Sequence, residues 1–296
     1  MSDFAEINGA RIHYQTAGSG EPVLLLHTGN GSTEIWAGQV DRFAEHYQVT
    51  RFDLRGFGRS DYPPGPFSWP ADARDLLRHL GVARTHVVAP SLGGRIGLEL
   101  ALIAPELVAS LVLAAPVLRE QSWRDELMAV RMREWDRFVA GDFAGATEAM
   151  MEAWLAGPYR TIDQLDPAVV ELVRRTQAVS YALRHPREAG TDPVELAGPE
   201  AELDRPAGDR LGEVAVPTLV LVGDHDQPDC VRVAHQVAGA VPGAVLEIVP
   251  GVAHMLTLER PDLFVTRTLA FLGQHGLSTA GSAGAGVAAA AGVGTR

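Results

Sequence analysis

Lysine is absent from this sequence. All 25 basic residues are arginine, set against 37 acidic residues for a formal net charge of −12. A surplus of negative charge repels a phosphate backbone and excludes a sequence-independent grip on nucleic acid. The missing lysine has no cause in charge and reads as codon bias. Cysteine is nearly absent as well: Cys230 has no intrachain partner, which excludes a disulfide scaffold and suits a reducing cytosol. No apolar run reaches the roughly 18 residues of a membrane span. The opening residues, Met1-Ser2-Asp3-Phe4-Ala5-Glu6, lack the basic-then-apolar plan of a secretory signal. The expectation is a cytoplasmic protein with no membrane or nucleic-acid partner.

The chain is 46% hydrophobic over 296 residues, enough for one enlarged domain or a domain with an insertion. Short apolar runs at Val23–Leu26, Tyr47–Phe52, His86–Ala89, Leu111–Leu113, Leu219–Val222 and Val245–Ile248 read as buried strands. Between them, Ala71–Leu80 and Leu92–Ala104 carry helical spacing. Strands alternating with helices predict a mostly parallel sheet covered on both faces.

That rhythm breaks between Val117 and Leu211. The segment is expected to be helical to about Arg184, then a polar return punctuated by Pro186, Pro193, Pro199 and Pro206. Three of the five tryptophans (123, 135, 154) and four of the six methionines (128, 132, 150, 151) lie in it. Met128, Met132 and Trp135 recur at helical spacing on one face, which either docks the segment or lines an apolar pocket. The resulting division is a core of residues 1–116 and 212–275, a helical lid with its return at 117–211, and a disordered Gly/Ala tail at 276–296.

The segment Val87-Val88-Ala89-Pro90-Ser91-Leu92-Gly93-Gly94-Arg95 sits where a strand hands over to a helix. Such a tight turn strains the central residue and wants small neighbours two positions to either side. Ala89 stands where Gly-x-Ser-x-Gly has its first glycine, and Gly93 keeps the second. A serine hydroxyl needs a base, normally a histidine oriented by a carboxylate. The loop after the next-to-last strand supplies Asp224, Asp226 and Asp229, and the loop after the last supplies His254. The Gly-rich loop His27-Thr28-Gly29-Asn30-Gly31-Ser32 follows the first buried run. There the N–H groups of Gly29 and Leu92 are assigned as oxyanion donors. No phosphate-binding glycine pattern or metal-ligand spacing occurs at these loops, so no cofactor and no metal is expected.

With these markers in register, residues 5–274 resemble the α/β-hydrolase superfamily. The markers are the His27–Ser32 loop with Trp36, the run Asp53-Leu54-Arg55-Gly56-Phe57-Gly58-Arg59-Ser60, the Ser91 elbow and the acid and histidine loops. The segments Val222–Asp229, Pro250–Met255 and Leu258–Pro261 resemble its 3-oxoadipate enol-lactonase-like branch. The resemblance implies a triad of Ser91, His254 and Asp226, the last from the Gly-x-x-Asp pattern beginning at Gly223. Glu120 is an outside candidate for the acid. It also implies hydrolysis of a carboxylic ester or lactone through an acyl-enzyme, on a small molecule with an apolar portion contacted by Met128, Met132 and Trp135. Carbon–carbon bond cleavage or peracid formation by the same triad is the alternative, and a non-catalytic binder a further one. Thr28 and Ala89 depart from the family pattern, where glycine is usual.

Overall fold

The apolar runs assemble into one eight-stranded sheet in the computed structural model, which describes residues 2–188 and 200–277. In chain order the strands are β1 (Ser2–Ile7), β2 (Ala10–Ala17), β3 (Glu21–Leu25), β4 (Tyr47–Phe52), β5 (Thr85–Pro90), β6 (Val108–Ala114), β7 (Thr218–Gly223) and β8 (Val245–Val249). Their spatial order is β1-β2-β4-β3-β5-β6-β7-β8. Pairing is parallel from β4 through β8, while β1–β2 and β2–β4 are antiparallel.

Alternation along the central strands divides the core into two layers. Leu24, Val87 and Ala89 face one side, packing with Leu76 and Leu77 of α2 (Trp69–His79), Ile96 of α3 (Leu92–Ile103) and Val233 of α7 (Pro228–Ala240). Val23, Leu25 and Val88 face the other, against Phe43 of α1 (Val40–Ala44) and Phe264 and Leu272 of α8 (Pro261–Gln274). β5 and β6 are buried at every position, because parallel strands covered on both faces have no solvent side.

The strand order reverses between β3 and β5. In open parallel sheets, the crevice beyond the carboxyl ends at such a reversal is where ligands bind. The loop from His27 and the residue Ser91 follow these two strands.

Two strands precede Val23 that run length does not announce. β1 and β2 form a hairpin with Ile7 paired to Ala10, and Asn8 and Gly9 both take positive φ (48° and 78°). That is the backbone a two-residue Asn-Gly turn prefers, so the dipeptide was the overlooked signal.

Between β6 and β7 lie α4 (Asp125–Val139), α5 (Phe143–Met151) and α6 (Pro167–Glu188). The insertion is not continuously helical: residues 117–124 and 157–161 are irregular, and α6 runs past Pro186 to Glu188. Leu118, Ala207 and Leu211 bury in the same cluster as α3, so the ends of the segment pack with the sheet. Pro193 and Pro199 of the return, and all but the first two residues of the expected tail, lie outside the described residues. No helix among the described residues is long and apolar enough to cross a membrane.

Candidate active site

β5 and α3 meet at Ser91, whose φ of 50° and ψ of −117° depart from either element. The turn is held by the Ser91 N–H donating to the Ala114 carbonyl at 2.9 Å, and by the Arg95 N–H donating to the Ser91 carbonyl at 3.2 Å. A side chain at Gly93 would put its Cβ 2.8 Å from the His27 carbonyl oxygen and 2.9 Å from Leu26 Cβ, so β3 and α3 approach too closely for anything larger. Ala89 is accommodated because its methyl faces Gly97, where a Cβ would still stand 3.5 Å away.

The loops after β7 and β8 are zipped together. Asp224 N–H donates to Val249 O at 3.1 Å, and His225 N–H donates to Val252 O at 3.0 Å. A Cβ on Gly223 would fall 1.9 Å from Val252 O, so only glycine permits this approach. It brings Asp226 to His254, with His254 Nδ1 3.0 Å from Asp226 Oδ2 and 3.1 Å from Oδ1. His254 Nε2 lies 2.8 Å from Ser91 Oγ. A carboxylate only accepts, so Nδ1 carries the proton and Nε2 is free to accept the serine hydroxyl. Asp226 is wholly buried and also accepts the Gln227 N–H at 2.6 Å.

The other acids are engaged elsewhere. Asp224 Oδ1 accepts the Gly251 N–H at 2.7 Å, a loop-capping task. Asp229 begins α7 and accepts the Arg124 N–H at 2.9 Å, and Glu120 accepts the Gly208 N–H at 2.6 Å.

Gly29 and Leu92 face each other across the cleft: a Cβ on Gly29 would stand 3.4 Å from Leu92 Cδ2. Leu92 is the first residue of α3 and so has no intrahelical acceptor. Among the described residues neither N–H reaches another backbone carbonyl. The loop is fixed by His27, whose Nδ1 donates to Thr28 O at 2.7 Å while Nε2 accepts the Leu54 N–H at 2.9 Å. Asp53 supports the same region through the N–H groups of Thr33 and Arg59 and the ring of His13. Burial pushes its carboxyl up, but His27 and these hydrogen bonds outweigh burial and hold it below its ordinary value.

The cleft opens into a cavity of about 940 Å³ that reaches from Thr28 and Ser91 to α4 and α6. Met128, Met132 and Trp135 line it together with Phe138 and keep 37%, 62% and 37% exposure, whereas Leu127 of α4 is buried in the cluster that holds Trp154. The apolar stripe therefore faces the cavity.

The sequence reading missed what Trp154 touches. A single π-helical turn at Glu152–Ala156 sets its ring 4.6 Å from that of His254. Gln227 donates to Ala153 O at 2.6 Å, and Arg160 donates to both Leu155 O at 2.8 Å and Gly251 O at 2.9 Å. These bonds tie the turn to the acid and histidine loops. No local pattern announces contacts between segments so far apart in sequence.

Asp226, Cys230 and His254 bring ligand-type atoms within 4.8 Å of one another. Burial first, then Asp226 and Asp229, push the Cys230 thiol well above its ordinary value. With His254 Nδ1 already committed to Asp226, the donor set fits a hydrogen-bonded cluster better than a metal centre.

Comparison with known proteins agrees with this architecture. The family model for the α/β hydrolase fold matches residues 21–261. A candidate carbamate hydrolase, RutD of Azorhizobium caulinodans, is 28% identical over 92% of this chain and 98% of its own length. Among solved structures, Est816, described as an N-acyl homoserine lactone degrading enzyme, is 26% identical with a TM-score of 0.69, covering 90% of this chain and 99% of its own. The enol-lactonase from Burkholderia xenovorans LB400 shares the fold, with 22% identity, a TM-score of 0.68 and coverage of 91% and 99%. With the matched region running from β3 through the loop that carries His254, the chain belongs to the α/β-hydrolase fold family.

Proposed function

We propose that this protein is a serine hydrolase that opens a carboxylic ester or lactone through an acyl-enzyme. The observation that carries the reading is the unbroken relay from Ser91 Oγ through His254 to Asp226, with contacts of 2.8 and 3.0 Å. In this reading His254 Nε2 takes the hydroxyl proton as Ser91 Oγ adds to the substrate carbonyl, and the Asp226 carboxylate stabilises the resulting imidazolium. The Gly29 and Leu92 N–H groups receive the charge developing on the carbonyl oxygen. His254 returns the proton to the leaving alkoxide, then activates water to release the acid. His27 bonds the backbone carbonyl of Thr28, a contact that does not involve the Thr28 side chain, and the reading keeps Gly29 and Leu92 as the oxyanion donors.

Residues 117–211 act as the lid in this proposal, and Met128, Met132 and Trp135 meet the apolar portion of the substrate. Such a cavity suits a ligand buried over most of its surface, with large apolar side chains supplying the area and Met adapting to its shape. The carbamate in RutD's name and the lactone in Est816's description each contain a carbonyl carbon open to nucleophilic attack, which is in keeping with the proposed chemistry.

The test is labelling by a fluorophosphonate, followed by a screen of esters of graded chain length and lactones of graded ring size. Labelling mapped to Ser91, with Ser91→Ala losing turnover on the order of 10⁴-fold while keeping its fold, is the expected result. Near-normal turnover in Ser91→Ala refutes the serine mechanism. Cleavage of β-diketones in preference to every ester assigns carbon–carbon hydrolysis instead.

A further inference from the structure

On the helices over the cavity, the arginines outside its lining are paired with carboxylates. Arg133 meets Glu152 at 2.8 Å, Arg137 meets Asp142 at 2.9 Å and Arg174 meets Glu148 at 2.7 Å. Arg131 of α4 and Arg175 of α6 do line the cavity, and among the described residues neither has a carboxylate within ion-pair distance. Arg131 is exposed, so a solute in the cavity can reach it. A cation without a partner beside a cleft, in a chain with 37 acidic residues to 25 basic ones, is available to an anion that enters. The acids of the lining are placed otherwise: Glu134 accepts the Tyr181 hydroxyl at 2.6 Å, and Glu34 belongs to the turn at Thr33–Trp36. With both present the cavity carries no large positive field, which suits a singly charged carboxylate better than a dianionic phosphate.

Arg131 also ends an aromatic wall of the cavity that begins at His254. The Trp154 ring lies 4.6 Å from that of His254, and Trp123 meets Trp154 edge-on at 5.8 Å. The guanidinium carbon of Arg131 stands 5.7 Å from the centroid of the Trp123 ring. Stacking of this kind steadies the guanidinium and leaves its fork of N–H groups for an anion. In the reaction proposed above, His254 hands its proton to the leaving alkoxide, so the part of the substrate that starts beside it is the alcohol portion. Three contacts in series separate that point from Arg131, which sets the anion several carbons out along an apolar surface.

We propose that Arg131 is a specificity-determining residue, whose guanidinium binds a carboxylate at the far end of the substrate's alcohol portion, with the apolar spacer laid along Trp154 and Trp123. The substrate class is an ester formed on the hydroxyl of a long hydroxy acid whose acid group stays free, rather than an ester of a plain alkanol. This deepens the ester reading above, on which it rests for the bond that is cleaved, though not for how the ligand is held.

Two measurements test it. In the first, acetates of ω-hydroxyalkanoic acids are compared with acetates of alkanols of equal length, the acid group being moved outwards carbon by carbon. The wild-type protein is expected to favour the acid over the alkanol at one of the longer spacers. In both Arg131→Met, which keeps the apolar stem, and Arg131→Glu, which reverses the charge, the kcat/KM ratio of acid to plain ester should fall about tenfold, the size of one charge-assisted hydrogen bond. In the second, the free ω-hydroxyalkanoic acids and alkanols, which carry no ester, are titrated against the fluorescence of the cavity tryptophans. The wild-type protein should bind the matched acid more tightly than the alkanol by about the same factor, and both variants should not. Acid discrimination in binding with no ester turnover sinks the catalytic reading and leaves Arg131 assigned. Ester turnover with an acid-to-plain ratio unchanged in both variants overturns the Arg131 proposal, as does a ratio lost in Arg175→Met alone. A preference confined to the shortest acids overturns it too, since those cannot span the two tryptophans. So does equal binding of acid and alkanol by the wild-type protein, the result expected if solvent alone serves the guanidinium.

Discussion

Replacing Ser91 by glycine should make the protein more stable than replacing it by alanine, although both remove the hydroxyl. Ser91 holds φ at 50° and ψ at −117°, a conformation that a Cβ resists and glycine accepts. Strain of this kind costs about 1–3 kcal/mol. Glycine also loosens the unfolded chain, a loss of about 0.4–1 kcal/mol. The difference leaves Ser91→Gly ahead by about 1 kcal/mol, or about 2–4 °C in Tm for a domain of this size. Because both variants lose the same contact with His254, their comparison isolates the backbone. The assay is thermal and urea unfolding followed by circular dichroism. Ala129, exposed within α4, supplies the opposite sign: Ala129→Gly should cost about 0.5–1 kcal/mol, since ordinary helical backbone gains nothing from glycine. If Ser91→Ala proves as stable as Ser91→Gly, the elbow stores no strain and the argument fails.

Asp226→Asn should reduce kcat about 10⁴-fold, because an amide facing Nδ1 favours the wrong imidazole tautomer. Asp224→Asn should instead lower stability in urea unfolding, by up to about 1 kcal/mol, through its bond to the Gly251 N–H. The reverse pattern in steady-state kinetics removes Asp226 from the proposed relay. Burial, reinforced by Glu200 and opposed by Arg95, pushes Glu99 from an ordinary 4.5 up to about 6. The folded protein then holds this proton more tightly than the unfolded chain. Its contribution to stability is complete below about pH 4.5 and lost as pH rises through about 6, a swing of about 2 kcal/mol. Urea midpoints across that range should lose this slope in Glu99→Gln, and an unchanged slope refutes the assignment. Met132→Ala and Trp135→Ala should shift chain-length preference in a panel of esters more than turnover of the smallest one. Equal slowing of every ester, together with lost stability, would mean that these side chains serve packing instead.

The elbow was legible because its causes are local. A strand running into a helix at Ser91 demands small residues at fixed offsets, and Gly93 meets that demand against β3 whatever the distant chain does. Long buried strands such as β5 and β6 likewise declare themselves, since burial on both faces leaves an unbroken apolar run. The hairpin of β1 and β2 was as local, but neither strand is buried throughout and its signal was a dipeptide rather than a run.

Tertiary structure decided everything that depends on which way a side chain points after distant segments meet. Asp224 and Asp226 share a loop, and only the zipper to the β8 loop turns one to Gly251 and the other to His254. Helical spacing put Met128, Met132 and Trp135 on one face without saying whether that face docks or lines a cavity. The packed chain puts those three in the cavity lining and buries Leu127 beside Trp154 instead. Trp154 had no readable pattern at all, since its meaning lies in a contact with a histidine 100 residues away, beside a cavity enclosed by helices and loops from separate parts of the chain. Backbone geometry follows from neighbours along the sequence; the choice of partner follows from neighbours in space, and those exist only once the sheet has brought its loops together.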